Sequence, residues 1–569
     1  MKKPIYRSFA ESFRLNLYLP ACGLITPPTA TYRADANLAR VMASSRPPQA
    51  VMMHLNGDLQ LLSPAGEKIG DFYEGMLAIC GKAVPILYLD SDAAFESLFH
   101  FADAHCLGDM TICMPYEKRA LLPVIRKMLP LSRGMLDLRG CVLPELVELV
   151  GNIYESDATM VLLSGPVEGD FLRKLQKRFI QAWVEGDESP AAALAAGACG
   201  VICQDMNGLY DLYAMFPARS SFRPTPLYAH KAYHATGEYP ENSISATVAA
   251  GKLGYDAAEI DVKLTGDGEL VVHHDRNTKN LFIENVVVNE TPWEELRHIR
   301  RKYFPGEGMD RFDDLMTAMA DYPDTPVLIE IKGVPGYYEE EELTGKIREI
   351  IARPESQKGC TCIMGIHPPY LSYVHAHMPR LPLAHCTYVQ KESATDDMDE
   401  NNQRIYRFAL ETQGANAGFN PNHSMIGENF MRLAHIRGIT VFSWTWAFQM
   451  WEGSGGAITQ SMLQGQDGLT SDWVHHFADM PVAVRGALPS SWPAGKKLPL
   501  QAELLSRDGA WRKTEEKLES VILSGAKMDA DGCLTGERGE GEILLGYRAA
   551  LPDYQDICLF GPPQKIVFE

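Results

Sequence analysis

The stretch "LYAHKAYHATGEYPENSISATVAAGKLGYDAAEIDVKLTGDGELVVHHD", residues 227–275, decides the reading of the fold. It opens with a short apolar run, Leu227–Ala229, that ends at His230. A stretch of helical character follows, and then the β-rich run "AAEIDVKL" at residues 257–264. Strand, helix, strand is a parallel βα unit, because parallel neighbours need a crossover long enough to return the chain to the same end of the sheet. Glu259 and Asp261 stand two apart in the second strand, so both side chains point to one face. A parallel strand is normally buried on both faces. Two adjacent carboxylates there repel each other and lose solvation. Flanked by Ala257, Ala258, Ile260 and Val262, the pair needs a counter-charge, and a hard divalent cation with oxygen ligands is the natural one.

The pattern extends outward from this unit. In the second half the strand candidates are "LYAHKA", "AAEIDVKL", "ELVVHHD", "PVLIEIKG", "CTCIMGIH", "LAHCTYV", "ANAGFN", "TVFSWTW" and "DGLTSD". In the first half they are "AVMMHL", "VPILYLD", "DMTICMP", "GMLDLRG", "TMVLLS", "FIQAWV" and "GVICQ". Continuous β-rich runs alternating with helices indicate a buried parallel sheet, and about eight of them in about 250 residues fit a closed (β/α)8 barrel. Residues 179–216 and 440–477 also resemble each other: each has an apolar strand with a Trp (Trp183, Trp444), a helical stretch, a Gly (Gly197, Gly465) and a strand opening on Gly200 or Gly468. Matching segments at equivalent ends of two halves predict a duplication. After the linker "PSSWPAGKK" the pattern changes to short alternating runs separated by Gly and Asp turns, which predicts an antiparallel β-sandwich of immunoglobulin-like type. The fold class expected is therefore α/β, with two tandem TIM barrels and a C-terminal sandwich. The divisions expected are an N-terminal segment 1–30, a first barrel 31–220, a second barrel 221–485 and a sandwich 486–569.

Further chemistry-bearing residues fall at strand ends. "PVLIEIKG" puts Glu330 and Lys332 at a spacing of two at the end of an apolar strand. A third carboxylate would complete a protein-side metal set, and Lys332 could hold a phosphoryl oxygen. His230 ends the first strand of its half and His274 follows "ELVV". Both are expected at the C-terminal barrel face, where barrel enzymes keep their chemistry. Two imidazoles beside a phosphorus centre can divide the proton transfers. His234 and His273 are read as structural.

A net charge of −20 argues against a nucleic-acid surface, which needs clustered Lys and Arg. It also repels anionic esters at long range, so an anion site must be made positive locally. The 12 cysteines lie mostly in apolar runs and read as reduced core residues, which favours the cytoplasm. Lys2, Lys3 and Arg7 before Leu15–Ile25, with "LPAC" at 19–22, give a weak lipoprotein or secretory signal that Glu11, Arg14 and Asn16 spoil. No run has the length of a membrane span.

The ordered set "AHK" (229–231), "PENS" (240–243), "EIDV" (259–262), "DGELVV" (267–272), "HD" (274–275), "LIEIK" (328–332), "WT" (444–445) and "GLTSD" (468–472) resembles the glycerophosphodiester phosphodiesterase family across residues 226–480. The resemblance implies hydrolysis of a small-molecule glycerophosphodiester to glycerol 3-phosphate and an alcohol, with one divalent cation, Ca2+ or Mg2+. It implies His230 and His274 as catalytic residues and Glu259, Asp261 and Glu330 as metal ligands. It places Lys231, Glu241, Asn242, Lys332 and Trp444 at the substrate. There are departures. The family's His-Arg reads His230-Lys231 here, so a point charge replaces a guanidinium fork. The Arg-Thr-Thr run after the His-Asp motif is lacking. A strand ending in Ser-Phe reads "GIHP", which brings His367 to the mouth. The alternatives are a phospholipase-like or sphingomyelinase-D-like reaction on the same barrel, or a silent binding protein.

The first half has "AVMMHL" where the second has its acid pair. Tyr88 stands in place of Glu330 and Gln204 in place of Asp472. It is expected to be a degenerate, non-catalytic barrel that shapes the pocket, binds a ligand or pairs with a second copy in a homo-oligomer.

Overall fold

The computed structural model describes residues 3–89, 91–331, 340–353, 356, 361–387, 393–445, 456–552 and 555–569. Two parallel barrels and a mainly antiparallel C-terminal unit make up the chain. The first barrel has the strands Thr29–Arg33, Ala50–Leu55, Val84–Leu89, Thr111–Pro115, Arg133–Asp137, Ala158–Leu163, Gln181–Glu185 and Gly200–Ile202. Each pairs with the next in parallel, and Thr29–Arg33 pairs with both Gly200–Ile202 and Ala50–Leu55, so the sheet closes. Its opening strand "TATYR" was not among the candidates read from sequence; Pro27 and Pro28 before it and its polar threonines conceal it.

The second barrel runs Leu227–Ala229, Ala257–Leu264, Val327–Ile331, Thr361–Gly365, Leu383–Cys386, Ala417–Asn420, Phe442–Trp444 and Gly468–Ser471. It closes through isolated parallel bridges, Phe419 to Val441 and Asn422 to Trp444. Eight of the nine strand candidates are staves of this barrel. The ninth, Leu270–Val272, instead folds back antiparallel on Ala257–Leu264. The first barrel does the same after its second stave, where Gln60–Leu62 folds back on Ala50–Leu55. Sharing an off-barrel hairpin at one place in the strand order is the mark of duplication.

The ladders correct one detail of the repeat. Trp183 pairs with Gly200 and Phe442 pairs with Gly468, so Phe442, and not Trp444, is the counterpart of Trp183. The two-residue slip keeps the same face, because strand side chains alternate with period two.

The barrels pack base to base, and each closes the other. Phe179 lies four residues before Trp183, is 1% exposed, and packs inside the second barrel with Tyr228, Ala257, Leu328 and Phe442. Its ring stacks on Phe442 at 4.2 Å. Gly438 lies four residues before Phe442, and a Cβ there would meet the Sδ of Met160 at 2.0 Å, inside the first barrel. Both residues adopt left-handed backbone, φ 59° and 66°. Each follows a fully buried arginine, Arg178 or Arg437, whose guanidinium donates to the carbonyl four residues earlier. The two loops bond to one another through Gln181 to the Ile439 carbonyl (3.0 Å) and Thr440 to the Phe179 carbonyl (3.0 Å). The exchange is reciprocal, as across a two-fold axis.

The N-terminal run is part of this packing: Phe13, Leu15 and Leu17 join the apolar cluster at the base of the first barrel. Beyond the barrels, a sheet around Gly539–Ala550 and a three-stranded sheet (Ala483–Gly486, Ala502–Leu505, Trp511–Thr514) pack through Val484, Ala502, Ala549 and Leu559. Two edge pairings of the larger sheet, Ser220–Ser221 and Ser491–Trp492, are parallel. Among the described residues no helix is long and apolar enough to cross a membrane.

Candidate active site

All eight residues of Ala257–Leu264 are buried, so Glu259 and Asp261 are buried acids at 1% exposure each. Asp261 pairs across the ladder with Glu330 on the neighbouring stave, which puts a third carboxylate beside them without any turn of the chain. Ligand oxygens of Glu259, Asp261 and Glu330 lie within 4.8 Å of one another. Burial, then the neighbouring Asp261, raises the Glu259 carboxyl above the usual carboxylate range. Asn242 fixes Asp261 twice, donating to its Oδ2 at 2.8 Å and accepting from its backbone N–H at 2.9 Å. The Lys231 amide donates to Oε2 of Glu259 at 2.8 Å, while Oε1, also buried, accepts no hydrogen bond. Oxygen donors on two staves, charge in excess of what the protein neutralises, and an open buried acceptor fit a hard divalent cation.

The histidines stand beside this cluster. His230 continues Leu227–Ala229, and the parallel partner of that strand, Gly468–Ser471, runs on to Asp472. The two side chains therefore meet: Nδ1 of His230 lies 2.6 Å from Oδ1 of Asp472. A carboxylate can only accept, so Nδ1 carries the proton. This leaves Nε2, at 4.0 Å from Oε2 of Glu259, as the nitrogen turned to the acids. Burial opposes a charge on this ring, but Asp472 and Glu259 overcome it and raise it to about 9. His234 shares the same Asp472 at 3.1 Å. His274 repeats the arrangement with Asp275, Nδ1 to Oδ1 at 2.8 Å, and Asn280 holds the other oxygen of Asp275. The amide of the preceding residue, His273, donates to the Asp261 carbonyl, which keeps His274 next to the acid strand. His273 itself is buried against the Asn277 carbonyl and held well below its ordinary pKa, to about 4, by burial.

The loop between the first strand and its helix carries backbone strain. Lys231, Ala232 and Asn242 all have positive φ, at 48°, 66° and 51°. Such residues cost about 1–3 kcal/mol each and persist where the surroundings over-determine them. Here the Asn242 amide donates to the Lys231 carbonyl, and the Ala232 amide to the Glu259 carbonyl. The Lys231 ammonium pairs with Glu241 at 3.1 Å. Buried Arg301 grips the Glu241 and Asn242 carbonyls, both at 2.8 Å. Trp444 ends its stave half-buried. His367, exposed, precedes the helix Pro368–His377. Lys332 lies outside the described residues.

Three participants were missed as site residues in the sequence. Asp472 could have been found: it ends the last stave, which in a closed barrel neighbours the first, and the first ends at His230. His234 and Arg301 carry no such signal, since their roles come from loop geometry.

The first barrel's mouth can be compared stave by stave. The ladders put Arg33 at the place of His230, Met52 at Glu259, His54 at Asp261, Tyr88 at Glu330, Glu185 at Trp444 and Gln204 at Asp472. Arg33 and Arg139 both bond Glu185, Arg139 also holds Asp137, and Tyr88 donates to Asp137 at 3.1 Å. Guanidinium groups supply the positive charge at this mouth.

Fold and site together define a (β/α)8 barrel with an acidic, histidine-flanked centre at the C-terminal ends of its staves. Residues 233–474, which lie within the second barrel, match the Glycerophosphoryl diester phosphodiesterase family. A glycerophosphodiester phosphodiesterase of Bacillus altitudinis is 26% identical over 28% of this chain and 65% of its own length. The lysophospholipase D GDPD3 of Mus musculus is 32% identical over 24% of this chain and 41% of its own. The chain thus spans less than two-thirds of these relatives. Among solved structures, an Oleispira antarctica phosphodiesterase in complex with the product sn-glycerol-3-phosphate is 20% identical, covers 44% of this chain and 94% of its own, and has a TM-score of 0.34.

Proposed function

We propose that the second barrel hydrolyses glycerophosphodiesters to glycerol 3-phosphate and an alcohol. The observation that carries this reading is the convergence of Glu259, Asp261 and Glu330 within 4.8 Å beside two imidazoles, each oriented by an aspartate. Glu259, Asp261 and Glu330 would hold one divalent cation, Ca2+ or Mg2+, which when bound supplies Lewis-acid charge at a phosphoryl oxygen. His230 and His274 each have Nδ1 committed to a carboxylate, so each offers Nε2 for proton transfer. One takes the proton of the substrate's 2-hydroxyl as that oxygen attacks phosphorus in line. The other protonates the departing alkoxide, and the roles reverse when water opens the cyclic phosphate. Lys231 and Lys332 add positive charge for the phosphoryl group, Glu241 and Asn242 hold the loop that carries Lys231, and Trp444 lines the glycerol side. The first barrel serves as a non-catalytic companion, at the division near residue 220.

A second reading, cleavage of lysophospholipids at the same centre, is favoured by the relatives named lysophospholipase D and by Lys231, whose point charge constrains the head group less than a guanidinium fork.

The test is release of glycerol 3-phosphate from glycerophosphocholine with and without a chelator. Chelation abolishes turnover, and Ca2+ or Mg2+ restores it. Glu259→Gln lowers kcat by about 10^2-fold or more, since it removes a charged ligand. Full turnover by Glu259→Gln in the presence of chelator would remove the reading.

A further inference from the structure

Residues 281–283 and 300–302 form a small antiparallel ladder between His274 and the next barrel helix. Its bonds are the bridge Phe282 to Arg301, Ile283 N–H to the Arg300 carbonyl (2.9 Å) and Lys302 N–H to the Leu281 carbonyl (2.9 Å). Side chains alternate across such a ladder. Phe282 and Arg301 point inward: Phe282 is fully buried, and Arg301 lies over its ring while holding the Glu241 and Asn242 carbonyls of the catalytic loop. Their ladder neighbours Ile283, Arg300 and Lys302 are exposed, Ile283 at 64%. Tyr303, just past the end of the ladder, is 83% exposed, Lys279 is exposed nearby, and exposed Glu284 beside Ile283 accepts from the Arg300 amide at 3.2 Å. The Lys302 ammonium reaches the Lys279 carbonyl at 2.6 Å and so sits beside the second lysine. The exposed surface here thus gathers an aliphatic and an aromatic side chain with three cations and one carboxylate, Glu284, a locally positive patch on a chain whose net charge is −20.

This combination has a specific use. Isolated exposed apolar residues are ordinary on a protein surface. An aromatic with a phenolic tip and an aliphatic group ringed by Lys and Arg is the composition that enters the headgroup layer of an anionic bilayer. We propose that this lip is a lipid-contacting surface, through which the second barrel takes its phosphodiester from the face of an anionic membrane. The position supports the assignment: buried Arg301, on the inner side of the ladder, holds the loop whose Asn242 fixes Asp261, so the ladder is tied to the acidic centre through two hydrogen-bonded steps. The inference rests on the phosphodiesterase reading for its substrate, but not for its surface.

Two readouts separate the two. The first is co-sedimentation of the full chain with phosphatidylcholine vesicles, with and without about one-third phosphatidylglycerol. The second is hydrolysis of lysophosphatidylcholine embedded in those vesicles against soluble glycerophosphocholine. The wild type sediments with the anionic vesicles. The double variant Ile283→Ser/Tyr303→Ser loses about tenfold or more in both sedimentation and vesicle-borne turnover, because the two exposed apolar groups that would enter the bilayer are removed, and keeps its rate on the soluble ester. Lys302→Glu loses the preference for anionic over neutral vesicles. Equal sedimentation by wild type and double variant overturns the lip. A wild type that binds vesicles but hydrolyses neither ester overturns the phosphodiesterase reading and leaves the lip standing.

Discussion

At the residue scale the proposed centre presents two imidazole–carboxylate pairs rather than lone histidines. His274→Ala should lower kcat by about 10^2–10^4-fold, the usual worth of a general acid or base, with the far-ultraviolet circular dichroism spectrum unchanged. Asp472→Asn tests the orienting role: an amide can donate as well as accept, so it no longer fixes the Nδ1–H tautomer of His230, and kcat should fall by about 10-fold or more while KM holds. A second residue-scale prediction concerns acid. His423 is buried, and burial alone lowers it from 6.5 to about 4. Between those values the unfolded chain binds a proton that the folded one refuses, so stability falls as pH drops through that window. The loss attributable to this ring is about 3 kcal/mol by pH 4. Denaturant titrations of His423→Leu should show a shallower decline from pH 6.5 to 4 than the wild type; parallel curves would refute it.

At the element scale the staves were the most legible part of the sequence. Runs such as "VPILYLD" and "TMVLLS" are largely apolar on both faces, and only a covered parallel sheet asks for that. The acid pair was legible for the same reason, as a local conflict with burial that a cation would resolve. Two things were hidden. "ELVV" looks like a stave because a hairpin strand buried under a helix has the same composition. The counterpart of Trp183 was misplaced by two residues, because a period-two pattern cannot tell a register from one two steps away. The loops at the barrel bases were invisible, since Phe179 and Gly438 acquire meaning only from the other half. They give the next prediction. Gly438→Ala must place a Cβ at left-handed φ against Met160, and should cost about 1–3 kcal/mol in a chemical-denaturation midpoint. Phe179→Ala should cost about 3–5 kcal/mol, the range for emptying an aromatic site in a core.

At the scale of the whole molecule, buried charges join the units. Asp256 accepts from Arg173 (2.7 Å) and Lys177 (3.1 Å) of the first barrel and from Arg507 (2.9 Å) of the C-terminal unit. It directly precedes the strand that carries Glu259. Arg437 of the second barrel holds Asp109 of the first, fully buried. Such pairs are weak evidence of added stability, but removing one partner strands the others. Asp256→Ala should therefore cost about 3–5 kcal/mol and lower the calorimetric Tm of a single transition that includes both barrels. Two separated transitions, one unmoved, would show that the barrels unfold independently.

The reciprocal plugs also set an order of events during synthesis. A nascent chain that has emerged as far as residue 220 has every stave of its first barrel, yet the floor of that barrel awaits a glycine more than two hundred positions downstream. Until then its apolar underside stays uncovered. Contacts of such long sequence separation form slowly and leave surface open to aggregation. Each half is thus the other's last folding step, and a stop codon between them would release a bowl without a bottom.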